Sequence, residues 1–132
     1  MDWVLLTAEQ VIRLHDRIIG PQELQGLAAG KSLESALARV ENRLYYALDI
    51  EDVYVLAACT AQAVAVAHAF NDANKRTAAV TLGAVLRLNR GNGALVDVGL
   101  GDKLIQMVTG ELDELDLARW LRTLPQRTPS SD

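Results

Sequence analysis

The chain has 132 residues, of which 50% are hydrophobic and 23% charged. That is one ordinary globular domain, able to bury roughly 70% of its unfolded surface. A net charge of −4 and a pI near 5.1 provide no overall positive field for a polyphosphate backbone, which argues against nucleic acid as a direct partner. Cys59 is the only cysteine and sits in an Ala/Val-rich stretch, so it reads as a small buried hydrophobe in a reducing compartment.

The segment from Met1 to Glu9 has no basic leader, and its apolar run is too short for a signal-peptide core, so the expected location is the cytoplasm. Thr7-Ala8-Glu9-Gln10 has capping-box spacing, and Val11, Leu14 or His15, and Ile18 recur at helical intervals. They predict a first helix over about Thr7 to Ile19, ended by Gly20-Pro21. After a Gly/Ala-rich loop to Lys31, Ser32 can cap a second helix whose apolar face is Leu33, Ala36 or Leu37, Val40 and Leu44. Tyr45 to Glu51 connects it to the next.

From Val53 to Asn71 there is no Asp, Glu, Lys or Arg. The run approaches the length of a membrane span, about 20 residues, but Thr60, Gln62, His68 and seven alanines suit a central helix within a bundle better than lipid. A hub helix is therefore expected over about Asp52 to Phe70, with no membrane contact. A fourth helix over about Lys75 to Asn89 stops at Arg90-Gly91-Asn92-Gly93, where glycines suit a helix end and tight turn. Leu95 to Val98 reads as a short strand. Leu100 to Thr109 places Leu100, Leu104, Met107 and Val108 on one face of a fifth helix that ends at Gly110. A sixth starts near Asp113 and buries Leu117, Trp120, Leu121 and Leu124, with Glu114 and Asp116 near its positive end. The class is all-α, in a single domain over residues 1–124 with a disordered tail over 125–132.

The junction His68-Ala69-Phe70-Asn71-Asp72-Ala73-Asn74-Lys75-Arg76 interrupts this apolar core with a histidine, an acid, two amides and two cations. Asn71, Asp72 and Asn74 favour a turn and a helix start, whose first four N–H groups lack intrahelical partners. Lys75 and Arg76 then fall in the first turn, where each cation is unfavourable by roughly 0.3–1 kcal/mol. An anion bound at the helix start removes the conflict, and a phosphate is the natural one. Asp72 could then hold Mg2+ with one carboxylate, phosphate oxygens and water completing its shell. His68 could accept a proton from an incoming hydroxyl. Phe70 reads as a core anchor that pins the loop. Taken singly, each residue also has an ordinary role, as a capped turn, a solvated cation or a hydrogen-bonded histidine.

Together, His-Ala-Phe-Asn-Asp-Ala-Asn-Lys-Arg-Thr resembles the signature of the Fic/Doc family, and specifically its Doc (death on curing) branch. Leu33 to Arg39, His15-Asp16 and the glycine turn after the fourth helix extend the likeness over most of Thr7 to Leu124. The resemblance implies a Fic-type helical domain of about six helices that binds ATP and Mg2+ at the junction. It makes His68, Asp72, Lys75 and Arg76 the candidate catalytic residues, Asn71, Asn74, Lys75 and Arg76 the candidate nucleotide contacts, and Asp72 the metal ligand. Lys75 stands where typical Fic proteins have glycine, a change that in the Doc branch accompanies transfer of the γ-phosphate instead of AMP. The implied function is a toxin kinase that phosphorylates a threonine of elongation factor Tu, halts translation, and is neutralised by a Phd-type antitoxin.

Two rival readings stand beside it: an adenylyltransferase, which would use the same residues, and a non-catalytic module acting through its antitoxin complex. A metal phosphohydrolase at His15-Asp16 is disfavoured because such sites need further ligands and His68 is the only other histidine. Gly99-Leu100-Gly101 and Gly91-Asn92-Gly93 lack the context of phosphate-binding loops and read as turns.

Overall fold

Thr7, Ser32, Asp52 and Asp113 each accept the backbone N–H three residues further on, those of Gln10, Ser35, Val55 and Asp116. Each bond satisfies one orphan donor, and each fixes where a helix begins. In this computed structural model, which describes residues 3–23, 26, 32–47, 50, 52–70, 73–89 and 99–123, the result is six α-helices and no strand. They are α1 (Ala8–Ile18), α2 (Leu33–Asn42), α3 (Val53–Ala67), α4 (Asn74–Leu88), α5 (Leu100–Val108) and α6 (Glu114–Thr123). The expected strand over 95–98, the glycine turn over 90–93, Leu124 and the tail lie outside the described residues.

Helix α3 is the hub. Val55 to Ala61 are buried without a break, which an amphipathic helix cannot achieve over two turns; every side of this stretch of α3 is therefore covered, and only towards its end does Val66 reach the surface. It packs against α2, α4, α5 and α6, while α1 lies on α4 and α2. Leu56, Leu82, Leu86, Leu104, Leu117 and Leu121 are the largest fully buried aliphatic side chains, and Cys59 is buried among them. Among the described residues no helix is long and apolar enough to cross a membrane.

Three features differ from the expected outline. The connection after α2 does not start at Tyr45; a π-helical turn carries the helix on from Arg43 to Ala47 and leaves Tyr45 and Tyr46 exposed. Helix α3 ends at Ala67 rather than Phe70, because His68 adopts the left-handed conformation at φ 48° and ψ 40°. Trp120 is only half-buried, covering the core edge beneath the Lys103 ammonium, 5.8 Å from the ring centroid. An indole beside a cation gains from that placement without full burial.

Candidate active site

The turn between α3 and α4 is anchored at Phe70. Its side chain is 2% exposed and stacks on the buried ring of His15, with centroids 3.9 Å apart and planes 7° from parallel. The Phe70 N–H donates to Asn74 Oδ1 at 3.1 Å, and Asn74 Nδ2 donates back to the Phe70 carbonyl at 2.9 Å. This two-way clasp closes the turn on itself and aligns the start of α4. His15 thus serves as the floor of the turn. Its Nδ1 lies 3.2 Å from Asp16 Oδ1, and the described residues hold no metal-binding cluster there.

His68 and Ala73, at the two ends of the turn, both sit in the left-handed region, at φ 48° and 64°. For residues with a Cβ this is uncommon and costs about 1–3 kcal/mol each. The conformation carries the chain sharply off the axis of α3 and leaves the His68 imidazole exposed to solvent. Ala73, as the residue before α4, has no side chain that can cap it. The N-terminus of a fifteen-residue helix therefore faces outward with its dipole unopposed by any acid in its first turn.

These groups surround one cavity of about 340 Å3, lined by His68, Ala73, Asn74, Lys75 and Arg76, with Ala65 and Val108 forming its apolar sides. Lys75 is exposed. The Arg76 guanidinium makes an ion pair with Glu23, from the α1–α2 connection, and reaches the Ile18 carbonyl at 3.5 Å. The Gly20 N–H and the Arg76 guanidinium together hold the Glu23 carboxyl below the usual carboxylate range. Positive charge beside the cavity is thus fixed in place by an acid that is distant in sequence.

A family model described as the Fic/DOC family matches residues 5–86, a stretch that contains the whole junction. The chain belongs to the Fic/Doc family. It is also 35% identical over 122 residues to the protein kinase Doc of Escherichia phage P1, covering 90% of this chain and 94% of that protein.

Within this Fic/Doc domain, His68, Asn74, Lys75 and Arg76 converge on one cavity, while Asn71 and Asp72 lie outside the described residues. The Asn74 amide is engaged at both ends by Phe70, which occupies its oxygen and one of its two N–H donors. Sequence reasoning missed Glu23 as the partner of Arg76, and the stacking of His15 beneath Phe70. Neither contact has a local signal, since 53 residues separate the first pair and the second joins a helix face to a loop.

Proposed function

We propose that this chain is the toxin of a toxin–antitoxin pair and acts in the cytoplasm as a protein kinase. It would move the γ-phosphate of ATP to a threonine hydroxyl of a translation factor and so arrest translation. Elongation factor Tu is the target that the family resemblance suggests, and a Phd-type antitoxin, laying a helix in a groove of this domain, is the neutralising partner. One juxtaposition carries the reading: an exposed imidazole shares a cavity with a helix start, whose N-cap residue Ala73 has no capping side chain, and two cations. A base beside an anion site is what phosphoryl transfer to a hydroxyl requires. The kinase name of the phage relative favours the same choice.

In the reaction the threonine oxygen attacks the γ-phosphorus while its proton passes to a nitrogen of His68. The bond from the γ-phosphorus to the β,γ-bridging oxygen breaks, and ADP leaves with that electron pair. Negative charge on the phosphoryl oxygens is met by the amides at the start of α4, by Lys75, and by the planar fork of Arg76. The described residues contain no group of three or more His, Cys, Asp or Glu that could hold a metal alone. Mg2+ here would accordingly depend on Asp72 together with phosphate oxygens and water, a coordination this hard cation favours. When bound, it would offset charge on the phosphates.

The test uses the full chain, purified elongation factor Tu, and ATP labelled separately at the α- and γ-phosphates. Label from the γ position is expected on a threonine, and His68→Ala is expected to slow transfer by about 10²–10⁴-fold. Transfer of the α label alone would replace the kinase with an adenylyltransferase. Toxicity undiminished in His68→Ala would favour a binding module instead.

A further inference from the structure

Two sides of the cavity beside His68 are apolar, and the chemistry of phosphoryl transfer makes no use of them. Ala65 comes from the last turn of α3, three residues before the imidazole, and Val108 is the final residue of α5. We propose that these two side chains select the acceptor, seating the methyl group of a threonine so that serine is a much poorer substrate. The inference rests on the kinase reading above and adds which hydroxyl amino acid the site accepts, and through which residues.

Charge and apolar surface come to this cavity from different elements. Lys75 and Arg76 belong to α4, whose start suits the phosphates. Ala65 and Val108 come from α3 and α5, and His68 ends the helix that carries Ala65. Threonine bears its methyl on the same carbon as the reacting hydroxyl. A hydroxyl within hydrogen-bond reach of the imidazole, about 2.6–3.2 Å, therefore brings the methyl into this cavity as well. The α4 side would meet that methyl with cations, whereas the α3 and α5 side meets it with carbon.

The seat is held firmly enough to discriminate. Ala65 is almost fully buried and forms its floor, while half-buried Val108 forms its wall. Leu104 and Met107, beside Val108 on α5, are buried in the core. Beyond Val108 the helix end is tied off, because the N–H groups of Glu111 and Leu112 donate to the Gln106 carbonyl at 2.8 and 3.2 Å, and Thr109 Oγ1 donates to it at 3.1 Å. Branching at Cβ leaves the valine methyls few orientations. One methyl in a hydrophobic seat is worth about 10–200-fold in discrimination. The same methyl narrows the side-chain rotamers of the acceptor, so seating it also aims the hydroxyl, and part of the preference should appear in kcat as well as in KM.

Transfer from γ-labelled ATP is measured to elongation factor Tu and to a form in which the modified threonine, located by mass spectrometry, is replaced by serine. The full chain is compared as wild type, Val108→Ala and Val108→Thr; the second keeps the branched shape of valine and puts a hydroxyl in place of one methyl. Wild type is expected to favour threonine by about 10–200-fold in kcat/KM. Each variant is expected to lower that ratio by about threefold or more. Because the ratio is taken within one protein, a loss of stability in a variant acts on both acceptors alike. A wild-type ratio below about tenfold would overturn the proposal. So would a smaller fall in either variant, which would put the selection elsewhere; in both cases γ-phosphate transfer to threonine leaves the kinase reading standing. If wild type modifies neither form, that reading and this inference fall together.

Discussion

Phe70 does more for the site than any residue that could touch a ligand. Its ring rests on His15, and its backbone is clasped in both directions by Asn74, so the imidazole of His68 and the amides of α4 are positioned from beneath. Phe70→Ala should cost about 3–5 kcal/mol of stability, measured by urea unfolding, and should abolish transfer even at temperatures where the helices persist. The anchor role of Phe70 was legible in the sequence because an aromatic flanked by alanine and asparagine at the end of an apolar run has few other uses. The left-handed turn at His68 was not anticipated, although histidine is enriched in that conformation among residues with a Cβ. A periodicity argument sees only the helix and cannot see the residue that leaves it.

Helices were the most legible level of the fold. The sequence predicts all six, and Thr7, Ser32 and Asp52 start theirs as it suggests, whereas α4 and α5 begin after Ala73 and Gly99 with no side-chain cap from either. The hub was legible from the missing charges, since a helix with no polar face must be enclosed. The π-helical continuation from Arg43 to Ala47 was not, because nothing in Leu44-Tyr45-Tyr46 distinguishes a wider turn from a loop. Asp52 joins two elements, capping α3 through Val55 and receiving Arg122 of α6 at 2.7 and 3.0 Å. Asp52→Ala should lower stability by about 1 kcal/mol from the cap and by up to about 1 kcal/mol more from the partly exposed pair. A double-mutant cycle with Arg122→Ala, followed by thermal melting, separates the two. Helix α4 is clamped at both ends by asparagines, Asn74 to Phe70 and Asn89 to the backbone of Val4 at 2.6 and 2.9 Å. The helix that presents the site is thereby fixed to both the turn and the N-terminal segment.

For the molecule as a whole, contacts between distant segments decide what the helices alone do not. The Glu23–Arg76 pair ties the α1–α2 connection to the start of α4, and it had no trace in the sequence because a Gly/Ala-rich loop carries no period from which to place its residues. The carboxyl of Glu23 is lowered from its ordinary 4.5 by the Gly20 N–H and by Arg76. Its contribution to stability is therefore complete above that ordinary value and disappears as pH falls through the lowered one. Urea unfolding of wild type and Glu23→Gln across this acid range should show a gap at neutral pH that closes on acidification; a constant gap would contradict the pairing. Glu23→Gln should also raise the affinity for tripolyphosphate, because Arg76 no longer has to exchange one anion for another. The self-closed turn has a further consequence. Since the grip on Phe70 comes from His15 and Asn74, an exchange at Lys75 or Arg76 leaves that fastening in place. Selection could therefore retune the charge at the mouth of the cavity without loosening the turn beneath it.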